Sequence, residues 1–397
     1  MPTSSVQLLC PVLMLFGLLL AATSTSAATL PSPMVPDGLG VNIHFTGDQT
    51  RDLDMIQAAG FRFIRMDFIW EAVEKEKGKY DFTAYDQLTK GLQRRGIRPL
   101  YILDYSNPLY ETDRSVRTEE GRQAFARFAA AAAARYRGQG ILWELWNEPN
   151  IDVFWKPSPN VDDYMALAKV VFPAIRKADP NALCVAPATS TIDLNFLEGC
   201  FKQGLLEMVD AVTVHPYRGD SPETVAPEYA KLRALIKQYH PRRPDLPIIS
   251  GEWGYAAGRD GLDVQKQGDY MARQFLTNLS LGIPLSIWYD WHDDGQEAND
   301  PEQNFGTVTY TYQPKPAYQE MQHLDSALKG KRFDRRLPTN TEDYLLVFSR
   351  GKEYTLAAWT IGVAHEVTVA ADLRIMLTGT PTYHEIRANA ISGQPGK

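Results

Sequence analysis

Cysteine is scarce in this chain, with 3 in 397 residues, so no disulfide framework stands in for a hydrophobic core. Cys10 falls in a leader-like segment, which leaves Cys184 and Cys200 either to pair with each other or to sit as two small buried thiols. No Cys/His spacing suited to zinc occurs, and no Gly-rich loop suited to phosphate, which sets aside the common metal and nucleotide motifs. Clustered positive charge is also missing. Lys+Arg 41 stand against Asp+Glu 48, a formal net charge of −7, and no basic run exceeds a pair of arginines, which argues against a nucleic-acid surface. Beyond residue 22 no apolar run is long enough to span a bilayer.

What is present is apolar and aromatic. Hydrophobic residues make up 44% of the chain and aromatics 11%, with 8 Trp and 19 Tyr. That suffices for a large core and leaves flat apolar faces on which sugar rings stack. The run VQLLCPVLMLFGLLLAA (6–22) is followed by TSTSAAT, whose small residues around Ala27 and Ala28 suit a signal peptidase. The spacing predicts a signal peptide over 1–28 and a secreted or periplasmic product with no membrane attachment after cleavage. A retained anchor is the alternative, since the leader lacks Lys and Arg before its apolar stretch.

From residue 39 short strand-like runs alternate with longer amphipathic ones. The strand-like runs are LGVNIHF, FRFIRMDF, RPLYILDY, ILWELWNE, ALCVAPAT, VDAVTVHPY, PIISGEWGY and LSIWYDW, and each leads into a helical pattern, the Ala-rich GRQAFARFAAAAAARYR among them. Strands alternating with helices demand parallel pairing, and eight such units predict an α/β fold, a (β/α)8 TIM barrel over 29–330. After residue 331 the texture becomes short strands joined by turns such as SRGK, which predicts a small C-terminal antiparallel β-domain over 331–397. Trp359 in that tail reads as core rather than as a sugar platform.

In such a barrel the C-terminal strand ends share one pocket. They supply Asn42 and His44, Arg65 and Asp67, Asp104 and Tyr105, Asn147 and Glu148, Thr189, His215 and Tyr217, Glu252 and Trp253, and Trp288, Asp290 and Trp291. Glutamates close strands four and seven, on opposite sides of the mouth, where paired carboxylates can face each other across a glycosidic bond. Trp70, Trp155 and Trp291 are candidate sugar platforms. The acidic loop HDDGQEANDPE (292–302) reads as solvated rather than as a calcium site, because it lacks the EF-hand spacing.

ILWELWNEPN resembles the acid/base motif of the clan A retaining glycoside hydrolases, and IISGEWGYA resembles their nucleophile strand. HPY at 215–217 and the Arg of FIRMDF are similar to the clan's signatures on strands six and two. The form WELWNEPN together with GVNIHF is most similar to family 39 and related bacterial exopolysaccharide hydrolases, with family 5 next. The resemblance implies Glu148 as general acid/base and Glu252 as nucleophile. It further implies Asn147 on the sugar 2-hydroxyl, Arg65 and Tyr217 on the nucleophile carboxylate, His215 lining the same subsite and Trp288 as the sugar's floor; His44 and Trp155 complete the expected substrate-binding set. The negative charge of Glu252 is expected to keep Glu148 protonated, and Trp143 and Trp146 are expected to reduce its contact with water.

In a strict pleat Glu144 and Glu148 share a face and Asn147 does not, so a bulge or strand end is needed before Asn147 and Glu148 can both reach the pocket. Pro149 cannot continue a ladder and suits that stop. Glu144, deeper in the strand, is expected to be buried and hydrogen-bonded. These readings predict a secreted β-glycoside hydrolase that works by double displacement, endo-acting, monomeric, and without metal or cofactor. An exo-acting, xylosidase-like enzyme, a transglycosylase and a non-catalytic carbohydrate-binding barrel are the alternatives.

Overall fold

In the computed structural model of the protein, which describes Met1, residues 29–258, 262–370 and 373–387, eight parallel strands close into a barrel in sequential order. They are β1 (Leu39–Asn42), β2 (Phe63–Ile69), β3 (Arg98–Asp104), β4 (Leu142–Leu145), β5 (Leu183–Ser190), β6 (Ala211–His215), β7 (Ile248–Trp253) and β8 (Ser286–Trp288). A helix follows each, from Thr50–Ala59 after β1 to Pro316–Leu328 after β8. Apart from Met1, the expected leader lies outside the described residues. Among the described residues no helix is long and apolar enough to cross a membrane.

Local chemistry explains the helices. The helix Glu119–Arg135 starts where the Thr118 hydroxyl accepts from the Gly121 amide at 2.9 Å, and Glu119 and Glu120 complement the positive end of its dipole. Its alanines then pack closely against the helix Val161–Ala178.

Alternation along the strands sorts side chains into two cores. Phe63, Leu100, Leu142, Leu183, Val185, Ala211, Ile249, Leu285 and Ile287 form a hydrocarbon plug inside the barrel. The residues between them point outward to the helices and build the larger barrel–helix core. Gly40 is required at the plug, because a Cβ there would lie 2.5 Å from Ile287 Cδ1 and 2.7 Å from Phe63 Cβ. One pleat above the plug the inward positions turn polar, with Arg65 on β2, Glu144 on β4 and His215 at the end of β6, all buried.

After the barrel come β9 (Arg332–Arg336), β10 (Asp343–Arg350), β11 (Glu353–Thr360), β12 (His365–Ala370), β13 (Leu373–Leu377) and β14 (Thr382–Ile386). They form a four-stranded antiparallel sheet in the order β14-β11-β10-β9 and a two-stranded β12-β13 ribbon. Leu345, Val347, Leu356, Ile375 and Leu377 make their shared core. The unit is tied to the barrel through Glu223, which accepts from Arg273 Nε and Nη2 at 2.7 and 2.8 Å and from the Trp359 indole N–H at 2.7 Å. Trp359 is thus buried, stacked on Tyr344 at 4.9 Å. Cys184 and Cys200 are free, buried thiols.

Candidate active site

The ladder of β4 stops at Leu145, and the next residues leave the pleat: Trp146 has φ 68° and Glu148 φ 47°. Both values are in the left-handed region, which costs a non-glycine residue about 1 kcal/mol or more. Neighbouring strands hold the kink in place. The Trp146 amide donates to Leu103 O at 3.1 Å and the Glu148 amide to Ala188 O at 3.0 Å, while the Trp146 indole donates to Phe154 O at 3.0 Å. The kink turns Asn147 and Glu148 together into the mouth. On β7 the register slips between Ser250 and Trp253, so Glu252 points inward although Gly251 before it does too.

Arg65 is the hub beneath these groups. Its Nε donates to Glu144 Oε2 at 2.7 Å, its Nη2 to Asn147 Oδ1 at 2.8 Å, and its Nη1 to Glu252 Oε2. Burial works against the charge, but Glu144 and Glu252 hold the guanidinium above its usual range. Glu144 therefore serves as the buried counter-ion of this arginine. The Tyr217 hydroxyl donates to the other Glu252 oxygen, Oε1, at 2.8 Å; burial and then Glu252 push its pKa far up, so it remains a donor.

Glu148 faces Glu252 across the mouth, and a carboxylate oxygen of each, with a ring nitrogen of His215, lie within 4.8 Å of one another. His215 Nδ1 and Glu148 Oε1 share a hydrogen bond of 2.8 Å. Burial lowers the His215 pKa to about 4, so the ring is neutral at ordinary pH. Burial also raises the Glu148 pKa to about 7, with Arg65 and Ser190 opposing. Of the two causes anticipated, exclusion of water behind Trp143 and Trp146 and repulsion from Glu252, desolvation of a residue 7% exposed is the one that raises the pKa.

Two expected sugar contacts are corrected. Trp288 is 0% exposed, because Ile287 takes the inward position in the plug and alternation sends Trp288 outward, where its indole donates to Phe305 O at 3.3 Å. Trp155, also 0% exposed, packs edge-on against Trp146 at 5.0 Å and braces the kink from behind. Neither offers a face to a sugar. Tyr289 takes the floor position that Trp288 was expected to provide. Its ring is 6.5 Å from Tyr217 and 5.5 Å from His44, and Glu252 contributes to raising its pKa after burial and Asp290. Gly254 admits it, since a Cβ there would sit 1.8 Å from Tyr289 O.

His44 is at the rim, 3.4 Å from Asp294 Oδ1 and 3.6 Å from Asp290 Oδ2. These three could also converge on a cation. Trp70 and Trp291 are buried, their indoles donating to Glu74 at 2.5 Å and Asp52 at 2.9 Å. Two cavities are lined by ring neighbours of Tyr289, one by His44 and the other by Tyr217 and Phe305. One, of about 210 Å³, is lined by Asn42, His44, Asp290, Asp294 and Tyr312; the other, of about 160 Å³, by Tyr217, Arg218, Tyr255, Tyr270 and Phe305.

Comparison with known proteins adds to this geometry. The sequence profile of the family described as cellulase (glycosyl hydrolase family 5) matches residues 34–295. A β-xylosidase of Geobacillus stearothermophilus is 25% identical over 311 residues, 65% of this chain and 60% of that protein; the chain thus spans about three-fifths of that relative's length. A family 39 glycoside hydrolase from the gut symbiont Bacteroides cellulosilyticus superposes with a TM-score of 0.77 at 25% identity, covering 87% of this chain and 80% of the other. A monomeric β-xylosidase from Caulobacter crescentus superposes with a TM-score of 0.65 at 20% identity over 86% and 80% of the two chains, a likeness of fold.

Proposed function

Because this chain belongs to the cellulase family, glycosyl hydrolase family 5, we propose that it is a secreted β-glycoside hydrolase that retains anomeric configuration. The observation that carries the reading is the approach of Glu148 and Glu252, a carboxylate oxygen of one within 4.8 Å of one of the other. Carboxyls about 5 Å apart suit direct attack on the sugar, whereas inverting enzymes keep roughly 6.5 Å or more for an intervening water.

The geometry assigns the steps. Arg65 and Tyr217 hold the Glu252 carboxylate by both oxygens, aiming one lone pair at the anomeric carbon. Glu148, protonated near neutral pH because it is buried, gives its proton to the leaving oxygen as the glycosidic bond breaks and the Glu252 ester forms. Esterification removes the Glu252 charge from Arg65, which then favours the anionic form of Glu148 more strongly. Glu148 next takes a proton from water as that water displaces the ester. Asn147, fixed by Arg65, is placed to hydrogen-bond the 2-hydroxyl.

The cavities lined by Tyr217 and by His44 support binding of sugars beyond the cleaved one, hence endo action on a β-linked polysaccharide, and the Caulobacter neighbour's being monomeric supports a monomer. Exo action on short β-xylosides is the second reading, favoured by the name of the Geobacillus relative. Following the first-released anomer by NMR on xylo- and gluco-oligosaccharides tests the proposal. Retention is expected, and inversion would remove Glu252 from the nucleophile's role.

A further inference from the structure

Two carboxyl groups at the barrel mouth take no part in the double displacement. Asp67 lies two residues beyond Arg65 on β2, so alternation sets it on Arg65's inward face, one pleat nearer the mouth. Arg65 itself bonds Glu252 and Asn147, so Asp67 overlooks the same sugar position. Asp104 closes β3, in register with Ile69 of β2, and its side chain meets that of Asp67. Asp104 is 0% exposed, and among the described residues neither of its oxygens has a hydrogen-bond donor from an N–H or a hydroxyl.

A carboxyl with no donor, buried against a second carboxyl, stays neutral and keeps its proton while donating it in a hydrogen bond to the neighbour. Burial and then Asp67 hold Asp104 well above the usual carboxylate range, which fits an Asp104 hydroxyl donating to Asp67. Asp67 is only half-buried. Among the described residues no other side chain or amide hydrogen-bonds its carboxylate, and even with one lone pair taken by Asp104 it keeps acceptor sites on both oxygens.

Resting on the glycosidase reading, we propose that Asp67 is a specificity-determining residue which accepts hydrogen bonds from two adjacent free hydroxyls of the sugar at the catalytic pair, with Asp104 behind it as a positioning residue. The substrate class is then a β-glycoside whose reacting sugar is free at its 3- and 4-hydroxyls. Every non-reducing end satisfies this, and an inner unit satisfies it only where the chain runs through neither position, so this assignment favours the exo reading for 1,3- and 1,4-linked chains. Sugars acylated, methylated or branched there are refused, because the substituent removes a donor and leaves a desolvated carboxylate unpaired.

The experiment compares 4-nitrophenyl β-D-xylopyranoside and β-D-glucopyranoside with their 3-deoxy and 4-deoxy analogues, in the wild type and in Asp67→Asn, Asp104→Asn and Asp104→Leu. In the wild type, deleting one hydroxyl is expected to lower kcat/KM roughly 10- to 100-fold. Asp67→Asn should slow the complete sugar by a similar factor and barely change the deoxy analogue, so that discrimination collapses. Asp104→Asn keeps a donor to Asp67 and should preserve the discrimination, whereas Asp104→Leu should lose it; a melting curve on each variant separates misfolding from this effect. Equal slowing of complete and deoxy sugars by Asp67→Asn overturns the proposal. Calorimetric Kd values for the same sugars require no turnover. A protein that shows the Asp67-dependent ratio in Kd but cleaves nothing refutes the hydrolase reading alone, and one that cleaves without that ratio refutes the specificity assignment alone.

Discussion

Replacing Glu148 by Gln should make the protein more stable in alkali while removing its acid. The Glu148 carboxyl titrates at about 7 instead of the ordinary 4.5 because it is buried, so the folded protein binds this proton more tightly than the unfolded chain does. The favourable linkage is complete below about pH 4.5 and is lost as the pH rises through 7, where the fold must bury a charge. At ~1.36 kcal/mol per unit, the ionised carboxylate costs about 3 kcal/mol above pH 8. Gln has the same shape and never ionises. The variant's melting temperature should therefore match that of the wild type near pH 4, rise relative to it between pH 5 and 8, and level off above. Parallel kinetics on an unactivated glycoside should show wild-type kcat/KM falling about tenfold per unit above pH 7, as the acid deprotonates. A stability gap that is independent of pH, or that widens toward acid, would refute a raised pKa for Glu148.

Glu252→Gln should abolish turnover, and Glu148→Ala should slow unactivated substrates while sparing glycosides of dinitrophenol; full activity in both, by steady-state kinetics, removes the catalytic assignment. Arg65→Met should lower stability by roughly 3–5 kcal/mol, because it leaves Glu144 and Glu252 buried without their cation; chemical denaturation at pH 7 reads this, and a loss below 1 kcal/mol contradicts the hub. Tyr289→Ala should raise KM several-fold with little effect on melting, whereas Trp288→Ala should cost about 3–5 kcal/mol through a core cavity. The reverse pattern would restore Trp288 as the sugar's floor.

The barrel was legible because its strands are apolar runs bounded by turns, each followed by a 3.6-residue pattern, and because β7 and β8 stay readable despite the short length of Ser286–Trp288. The break after Leu145 was legible as well, since Pro149 and the need to turn both Asn147 and Glu148 inward leave no room for a continuous pleat. Trp288 misled for a simple reason: a Trp at a strand end invites a platform, yet the face is decided by parity. Counting in twos from the plug residue Ile287 reaches Tyr289, which is the signal that could have found it. Trp143 and Trp146 in the motif pointed to exclusion of water from Glu148, but its dominance over repulsion from Glu252 was hidden, because desolvation depends on everything that packs over a carboxyl. Asp67 and Asp104 were visible as strand ends; their contact was not, since it depends on the stagger between β2 and β3.

The nine-residue hydrocarbon plug has a kinetic consequence for the acid above it. It seals the barrel from below, so the exchangeable hydrogen on Glu148 reaches bulk solvent only through the mouth, and a bound glycan stoppers that opening. In deuterium oxide, the first bond cleavage by protonated enzyme with substrate already bound should lack the solvent isotope effect of later turnovers, as if drawn from a one-shot reservoir that the hydrolytic water of the second step refills with deuterium.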